Sequence, residues 1–181
     1  MLGMVFTELV EMLESRFSPE LVDTVLTQAE LPHGGAYTAV GYYPHSEIVR
    51  IISVLSEHTG LSSADLQRVF GEHLLGRFAV MYPELFAGKL TLYDFLASID
   101  SHIHVEVTKL YPGAQLPRFE VLERSPDALR LAYRSPRGMV ALAEGLIRGA
   151  TLHFQEPHSI SHSQQQLGDE SVTVIDVQRI H

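Results

Sequence analysis

Two segments of the chain bring together residue types that bind metals and carboxylates. The first holds His104, an imidazole within an apolar helical stretch. A neutral imidazole nitrogen is a common metal ligand. The second holds Tyr133, Ser135 and Arg137, which present a phenol, a hydroxyl and a guanidinium at alternate positions. These groups can donate hydrogen bonds to carboxylates, and a guanidinium can bind one carboxylate through two of them.

A metal ligand together with clustered carboxylate donors is what an iron porphyrin requires, since its iron needs an axial nitrogen and its two propionates need cations or donors. The spacing i, i+2, i+4 predicts that Tyr133, Ser135 and Arg137 share one face of an extended strand. Two simpler interpretations remain at this point. His104 is also consistent with a hydrogen-bonded core histidine, and the second segment with an exposed junction between a strand and a helix.

The elements that must position these residues follow from the periodicity of apolar residues. Helical spacing predicts a short helix around Val5 to Leu13, a second that starts beyond Ser62 and ends before Pro83, and further helices over 19–29, 46–59, 91–111 and 138–154. Alternating residues predict strands near Phe119 and Leu131 and over 158–166 and 171–179. The expected fold is α+β: one domain over 1–181, helical over about 1–112, then a small antiparallel sheet with one inserted helix over about 113–181.

Composition narrows the function classes. The chain has 181 residues and a formal charge of −9, which argues against nucleic-acid binding. It contains no cysteine, so thiolate metal sites, iron–sulfur clusters and disulfides are excluded within it. No apolar run is long enough for a membrane span, and acidic residues interrupt the N-terminal apolar run. We therefore expect a cytoplasmic protein without a membrane segment.

The second segment resembles a signature of the H-NOX family, the haem–nitric oxide/oxygen binding domains. Tyr-x-Ser-x-Arg is the propionate-binding motif of that family, and Tyr133, Ser135 and Arg137 match it completely. By itself this motif is short and weakly specific. The position of His104 about 30 residues upstream and the order of helices and strands make the resemblance strong, and it extends over the whole chain.

The stretch from Ser98 to Pro112 is similar to the proximal helix of the family, which implies that His104 is the axial ligand of haem b. The segment Leu116-Pro117-Arg118-Phe119 is similar to the one in which a proline presses on the porphyrin and distorts it. The resemblance therefore gives that role to Pro117.

Departures from the family pattern concern the ligand. Oxygen-binding members carry a distal tyrosine that donates to bound O₂, and the matching position here is Leu142. The positions of its polar helpers correspond to Leu9 and Leu74. An apolar distal pocket favours NO and CO over O₂, because O₂ carries partial negative charge and gains from a donor. The expected pocket residues are completed by Val5, Phe78 and Leu146. The leucines at 9, 74 and 142 are also consistent with plain core residues, and both roles can hold at once.

A second departure concerns zinc. Some bacterial members hold a structural zinc through three cysteines and a histidine, and His162 matches that histidine. The matching cysteine positions are Val140, Gln165 and Thr173, so we expect no zinc. The histidines at 153, 158 and 162 have spacings that do not suggest a metal site.

The resemblance implies a bacterial haem-based sensor of NO and CO rather than an enzyme. Loss of the His104–iron bond and relaxation of the porphyrin against Pro117 would signal to a separate effector, by analogy a histidine kinase or a cyclic-di-GMP enzyme. Three alternatives stay open. One is an O₂ sensor whose donor is Tyr42, Tyr43 or His73; the others are a haem enzyme and an interaction domain without a cofactor.

Overall fold

The computed structural model describes residues 1–180. Within this range the chain forms seven α-helices and one four-stranded antiparallel sheet, which confirms the α+β prediction. The helices are α1 (Gly3–Arg16), α2 (Pro19–Gln28), α3 (His45–Thr59), α4 (Ser63–Met81), α5 (Leu92–Ala97), α6 (His104–Leu110) and α7 (Val140–Phe154). The strands are β1 (Arg118–Arg124), β2 (Ala128–Arg134), β3 (His158–Leu167) and β4 (Glu170–Arg179).

Local signals set several helix ends as the sequence predicts. Ser18 accepts the N–H of Leu21 and starts α2, with Pro19 in the first turn. Ser62 is the N-cap of α4, since its Oγ accepts the N–H of Asp65 at 3.1 Å. Gly60 ends α3 with a left-handed φ of 72°, a conformation in which glycine has no Cβ to clash.

The sheet has the strand order β1-β2-β4-β3. Register pairs such as Phe119 with Tyr133 and Leu131 with Ile175 bring apolar side chains of neighbouring strands together. Helix α7 packs on this sheet, where Ile147 joins a buried cluster with side chains of β2 and β4. A second buried cluster lies among α1 to α4.

Helices α4 and α7 hold the two clusters together. Phe78 on α4 and Leu146 on α7 pack against both clusters. The helix backbones approach so closely that a Cβ on Gly145 would lie 2.2 Å from the carbonyl oxygen of Arg68, and one on Gly71 would lie 2.4 Å from that of Leu142. Glycine is therefore required at this contact.

The prediction of one long helix over 91–111 is wrong. Helix α5 ends at Ala97, and a π-helical turn over Ile99–Ile103 precedes α6. The carbonyl of Ser98 accepts the N–H groups of both His102 and Ile103, while the Ser98 hydroxyl donates to the carbonyl of Phe95 at 2.8 Å. A serine hydroxyl that bonds the preceding turn disturbs the regular ladder, and π turns are frequent at functional sites.

The helix predicted over 138–154 begins at Val140 instead. Gly138 has a left-handed φ of 63°, so it belongs to the turn between β2 and α7.

Candidate cofactor-binding site

An apolar cavity of about 230 Å³ lies between the helical cluster and the sheet. Helices α1, α4 and α7 contribute its wall on one side, while the π turn, α6 and the connection to β1 contribute to the rest. Ten of the residues predicted from the sequence line it: His104, Tyr133, Ser135, Arg137, Pro117, Val5, Leu74, Phe78, Leu142 and Leu146. The structure thus brings the two chemical segments into one cavity.

Leu9 is the exception among the predicted residues. Its side chain is 1% exposed and packs inside the helical cluster, and it is not among the residues that line the cavity. On α1 the wall is provided by Val5 and by Met4 instead. An alignment position alone does not reveal this difference, because it depends on how α1 is rotated against its neighbours.

A carboxylate holds the Nδ1 nitrogen of His104. Its Nδ1 lies 3.0 Å from Oδ1 of Asp100, whose Oδ2 accepts the backbone N–H of Phe119 at 2.9 Å. Burial lowers the pKa of His104, while Asp100 partly opposes this shift. The neutral ring then donates Nδ1–H to Asp100, which leaves the lone pair on Nε2. Among residues 1–180, Nε2 of His104 has no hydrogen-bond partner.

Tyr133, Ser135 and Arg137 reach the cavity from a strand end and the turn beyond it. Strand β2 ends at Arg134, so the prediction that all three share one strand face is wrong, because the last two belong to the turn before α7. The Ser135 Oγ accepts the N–H of Arg137 at 3.3 Å, and the Arg137 guanidinium donates to the carbonyl of Gln115 at 2.6 Å. Burial raises the pKa of Tyr133, opposed by Ser135 and Arg137, so the phenol remains a donor.

Two tyrosines that the sequence analysis did not single out also line the cavity. Tyr82 and Tyr111 follow the last residues of α4 and α6, and their hydroxyl oxygens lie 2.9 Å apart. The wall is therefore less uniformly apolar than predicted. The signal was the i, i+4, i+8 spacing of Leu74, Phe78 and Tyr82, which continues one face of α4 to the residue just after its end.

The polar side chains considered for an O₂ donor lie elsewhere. Tyr43 accepts the backbone N–H of Thr38 with its hydroxyl at 2.9 Å, and Nε2 of His73 lies 3.4 Å from Glu8. The ring of Tyr42 packs beside Gly113. None of Tyr42, Tyr43 and His73 is among the residues that line the cavity.

His162 is engaged in an ion-pair network. Its Nδ1 lies 2.6 Å from Oε1 of the buried Glu144, whose Oε2 accepts from Nε of Arg68 at 2.9 Å. Between residues 1 and 180, no group of three or more His, Cys, Asp or Glu side chains is arranged to hold a metal ion. None of the helices in this range combines the length and apolarity needed to cross a membrane.

Comparisons with known proteins agree with this geometry. A family model described as Haem-NO-binding matches residues 2–162. An H-NOX protein from K. algicida, solved as Fe(II) unliganded, is 35% identical and superposes with a TM-score of 0.91 over 100% of this chain and 98% of that one. An H-NOX protein from S. oneidensis in the Fe(II)NO ligation state has a TM-score of 0.90 over 100% of both chains, but at 24% identity it shows the fold alone.

One curated relative is much longer. Soluble guanylate cyclase gcy-37 from Caenorhabditis elegans is 26% identical over 137 residues, which is 74% of this chain. The chain spans 19% of the length of that relative.

Proposed function

The chain belongs to the Haem-NO-binding, or H-NOX, family, and from this premise we propose that it is a sensor that binds NO and CO at the ferrous iron of haem b. The single observation that carries the proposal is the cavity, where a neutral His104 and the Tyr133, Ser135 and Arg137 donors meet apolar walls.

The residues present fit such a cofactor. His104 Nε2 would ligate the iron, and Tyr133, Ser135 and Arg137 would hold the propionates. When bound, ferrous haem would supply an iron atom that binds diatomic gases. Pro117 lines the cavity and is the candidate for pressing on the porphyrin. This chain has no cysteine for thioether attachment, which supports haem b.

The wall residues support a preference for NO and CO. Leu142, Leu74 and Phe78 offer no hydrogen-bond donor to a bound gas. A specific observation also favours a second candidate, an O₂ sensor, because the Tyr82 hydroxyl lines the same cavity. That hydroxyl is already engaged with Met4 and Tyr111, which supports the first candidate.

The signal would pass through the segment that carries His104. Burial favours the neutral His104 ring and Asp100 orients it, so the ring would need no change of protonation on leaving the iron. We propose a separate cytoplasmic effector in a bacterium, such as a histidine kinase or a cyclic-di-GMP enzyme, and no catalytic activity in this domain. The likeness to gcy-37 makes a cyclase a further candidate effector.

Absorption spectra of the purified ferrous protein test the proposal. We expect a Soret band in the wild type that is lost in His104→Ala and restored by free imidazole. His102→Ala is the matched control, since His102 does not line the cavity, and it should keep the band. A wild type without a Soret band after haem reconstitution would overturn the proposal.

Two further spectra address the ligand. We expect NO to shift the Soret band to that of a five-coordinate nitrosyl, which reports release of His104. In air, the ferrous protein should not form a stable oxy complex. A stable oxy complex would favour the O₂ sensor, and its loss in Tyr82→Phe would identify the donor.

A further inference from the structure

The segment that carries His104 is only partly buried. None of the residues in the π turn Ile99–Ile103 or in α6 is fully buried. Leu110, the last residue of α6, is 57% exposed. Ile99, Ile103 and Val107 pack partly buried against the sheet cluster. Specific side-chain contacts add to this partial packing in holding the segment in place.

The N-terminal end of the segment has such a contact, and so does its C-terminal end. At the first, Asp100 joins His104 to the backbone N–H of Phe119. At the second, the hydroxyl of Tyr111 lies 2.9 Å from that of Tyr82, which follows the last residue of α4. We call Tyr82 and Tyr111 the tyrosine pair.

The hydrogen bonds of the tyrosine pair connect three helices. The Tyr82 hydroxyl donates to Sδ of Met4 on α1 at 3.7 Å. Its proton is then engaged, so Tyr111 donates to the Tyr82 oxygen. Burial and the contact with Tyr111 raise the pKa of Tyr82 to about 12, so the Tyr82 hydroxyl stays protonated at neutral pH. The pair thus joins the end of α6 to α4 and α1.

The position of the tyrosine pair indicates that it holds the end of the His104 segment in place rather than contacting a gas ligand. Tyr111 follows His104 by seven residues, which is two helical turns and roughly 10 Å along the axis. Its carbonyl accepts the N–H of Ala114 at 2.9 Å and starts the turn that leads to Gln115, the acceptor of Arg137. The pair therefore fixes the far end of the His104 segment and the start of this turn.

We propose that the tyrosine pair positions the His104 segment against α4, and that it thereby sets how readily His104 leaves the iron. Tyr82 and Tyr111 are positioning residues that act through His104. The second part of the proposal rests on the proposed function, while the first part concerns the protein alone.

Phenylalanine substitutions test the pair, because each removes one hydroxyl and keeps the ring. Tyr82→Phe, Tyr111→Phe and the double variant are compared with Tyr93→Phe. Tyr93 is a matched control because its buried hydroxyl bonds the carbonyl of Val177 in the sheet, and it does not line the cavity.

The first measurement is amide hydrogen exchange of peptides over 104–111 in the protein as purified. We expect exchange to become roughly two- to tenfold faster in each single variant, the range that corresponds to one net hydrogen bond. The double variant should match Tyr111→Phe, because both substitutions remove the same bond. Tyr93→Phe should exchange like the wild type over these residues.

The second measurement is the rate at which the nitrosyl complex changes from six- to five-coordinate. We expect a similar two- to tenfold increase in Tyr82→Phe and Tyr111→Phe and none in Tyr93→Phe. Unchanged exchange over 104–111 in both single variants would overturn the proposal. Faster exchange with an unchanged rate would overturn its second part. A wild type that binds no haem would refute the proposed function and that second part, while the exchange experiment would still decide the first.

Discussion

The contact between α4 and α7 differs sharply from the segment that carries His104. At the first, two helix backbones meet so closely that only glycine fits at Gly71 and Gly145. At the second, the π turn and α6 contain no fully buried residue, and their partial packing on the sheet cluster is supplemented by the Asp100 contacts and the tyrosine pair. One region is fixed by close backbone packing and the other by partial packing together with a few hydrogen bonds.

This difference fits a sensor whose cavity wall and proposed metal ligand differ in how freely they can move. Leu74 and Phe78 on α4, with Leu142 and Leu146 on α7, form a wall that is part of the tightly packed contact. Each hydrogen bond lost when a segment shifts costs about 0.5–1.5 kcal/mol, whereas forcing a well-packed core out of its arrangement costs about 1–3 kcal/mol and occasionally more. We therefore expect the segment that carries His104 to move rather than the wall formed by α4 and α7.

The largest effect is expected from a substitution that adds atoms to the close contact between α4 and α7. In Gly145→Ala the added Cβ would meet backbone atoms of Arg68, which cannot move aside as a side chain can. We expect the free energy of unfolding to fall by about 1–3 kcal/mol, measured by chemical denaturation.

Gly76→Ala is the matched control for this substitution. Gly76 also lies within α4, and a Cβ there meets no atom within 4 Å. Because alanine is the better helix former, this variant should gain about 0.5–1 kcal/mol. Equal effects of the two substitutions would show that the close approach is not what fixes this contact.

A smaller effect is expected from a substitution at Asp100, whose contact orients the ring of His104. In Asp100→Asn, an amide that accepts the Phe119 N–H can turn its NH₂ toward Nδ1 of His104. The ring proton would then move to Nε2, the nitrogen meant for the iron. We expect haem affinity to fall about 10- to 100-fold, measured by titration of the haem-free protein.

Asp94→Asn serves as the control, since Asp94 pairs with Arg124 at 2.7 Å and does not line the cavity. Its haem affinity should match that of the wild type. A wild-type affinity in Asp100→Asn as well would remove Asp100 from the site.

The smallest effect concerns alkaline pH and the tyrosine pair. The pKa of Tyr82 is raised to about 12, above its ordinary value near 10. The stability contributed by the neutral hydroxyl is therefore fully present below pH 10 and is lost as the pH rises through 12. We expect unfolding experiments between pH 9 and 12 to show a smaller alkaline loss in Tyr82→Phe than in the wild type. Identical dependence of unfolding on pH in the two proteins would show that Tyr82 is not held as a neutral, hydrogen-bonded hydroxyl.

Much of the candidate site was predictable from short-range patterns. The imidazole of His104 and the alternate donors at Tyr133, Ser135 and Arg137 stand out because few other residue types perform that chemistry. The serine caps of α2 and α4 were predictable for a similar reason, since a side-chain oxygen next to free N–H groups stabilises a helix start.

Other features depended on contacts between residues far apart in the chain. Whether a leucine faces a cavity or a core depends on the rotation of its helix. Leu9 was predicted to line the cavity, whereas in the structure it is buried in the core. The Tyr82–Tyr111 contact joins residues 29 positions apart and leaves no local signal. The π turn before His104 likewise has no signal in the periodicity, because it forms where the N–H groups of both His102 and Ile103 donate to the carbonyl of Ser98.

The sequence by itself determined the fold class, the family and the chemical groups available for a haem, because these depend on residue type and local spacing. Only the tertiary structure decided which groups face the cavity, that Asp100 orients the His104 ring, and that a tightly packed wall faces a partly buried segment that carries His104. Those properties arise from burial and from hydrogen bonds between distant segments, which exist only once the chain is folded.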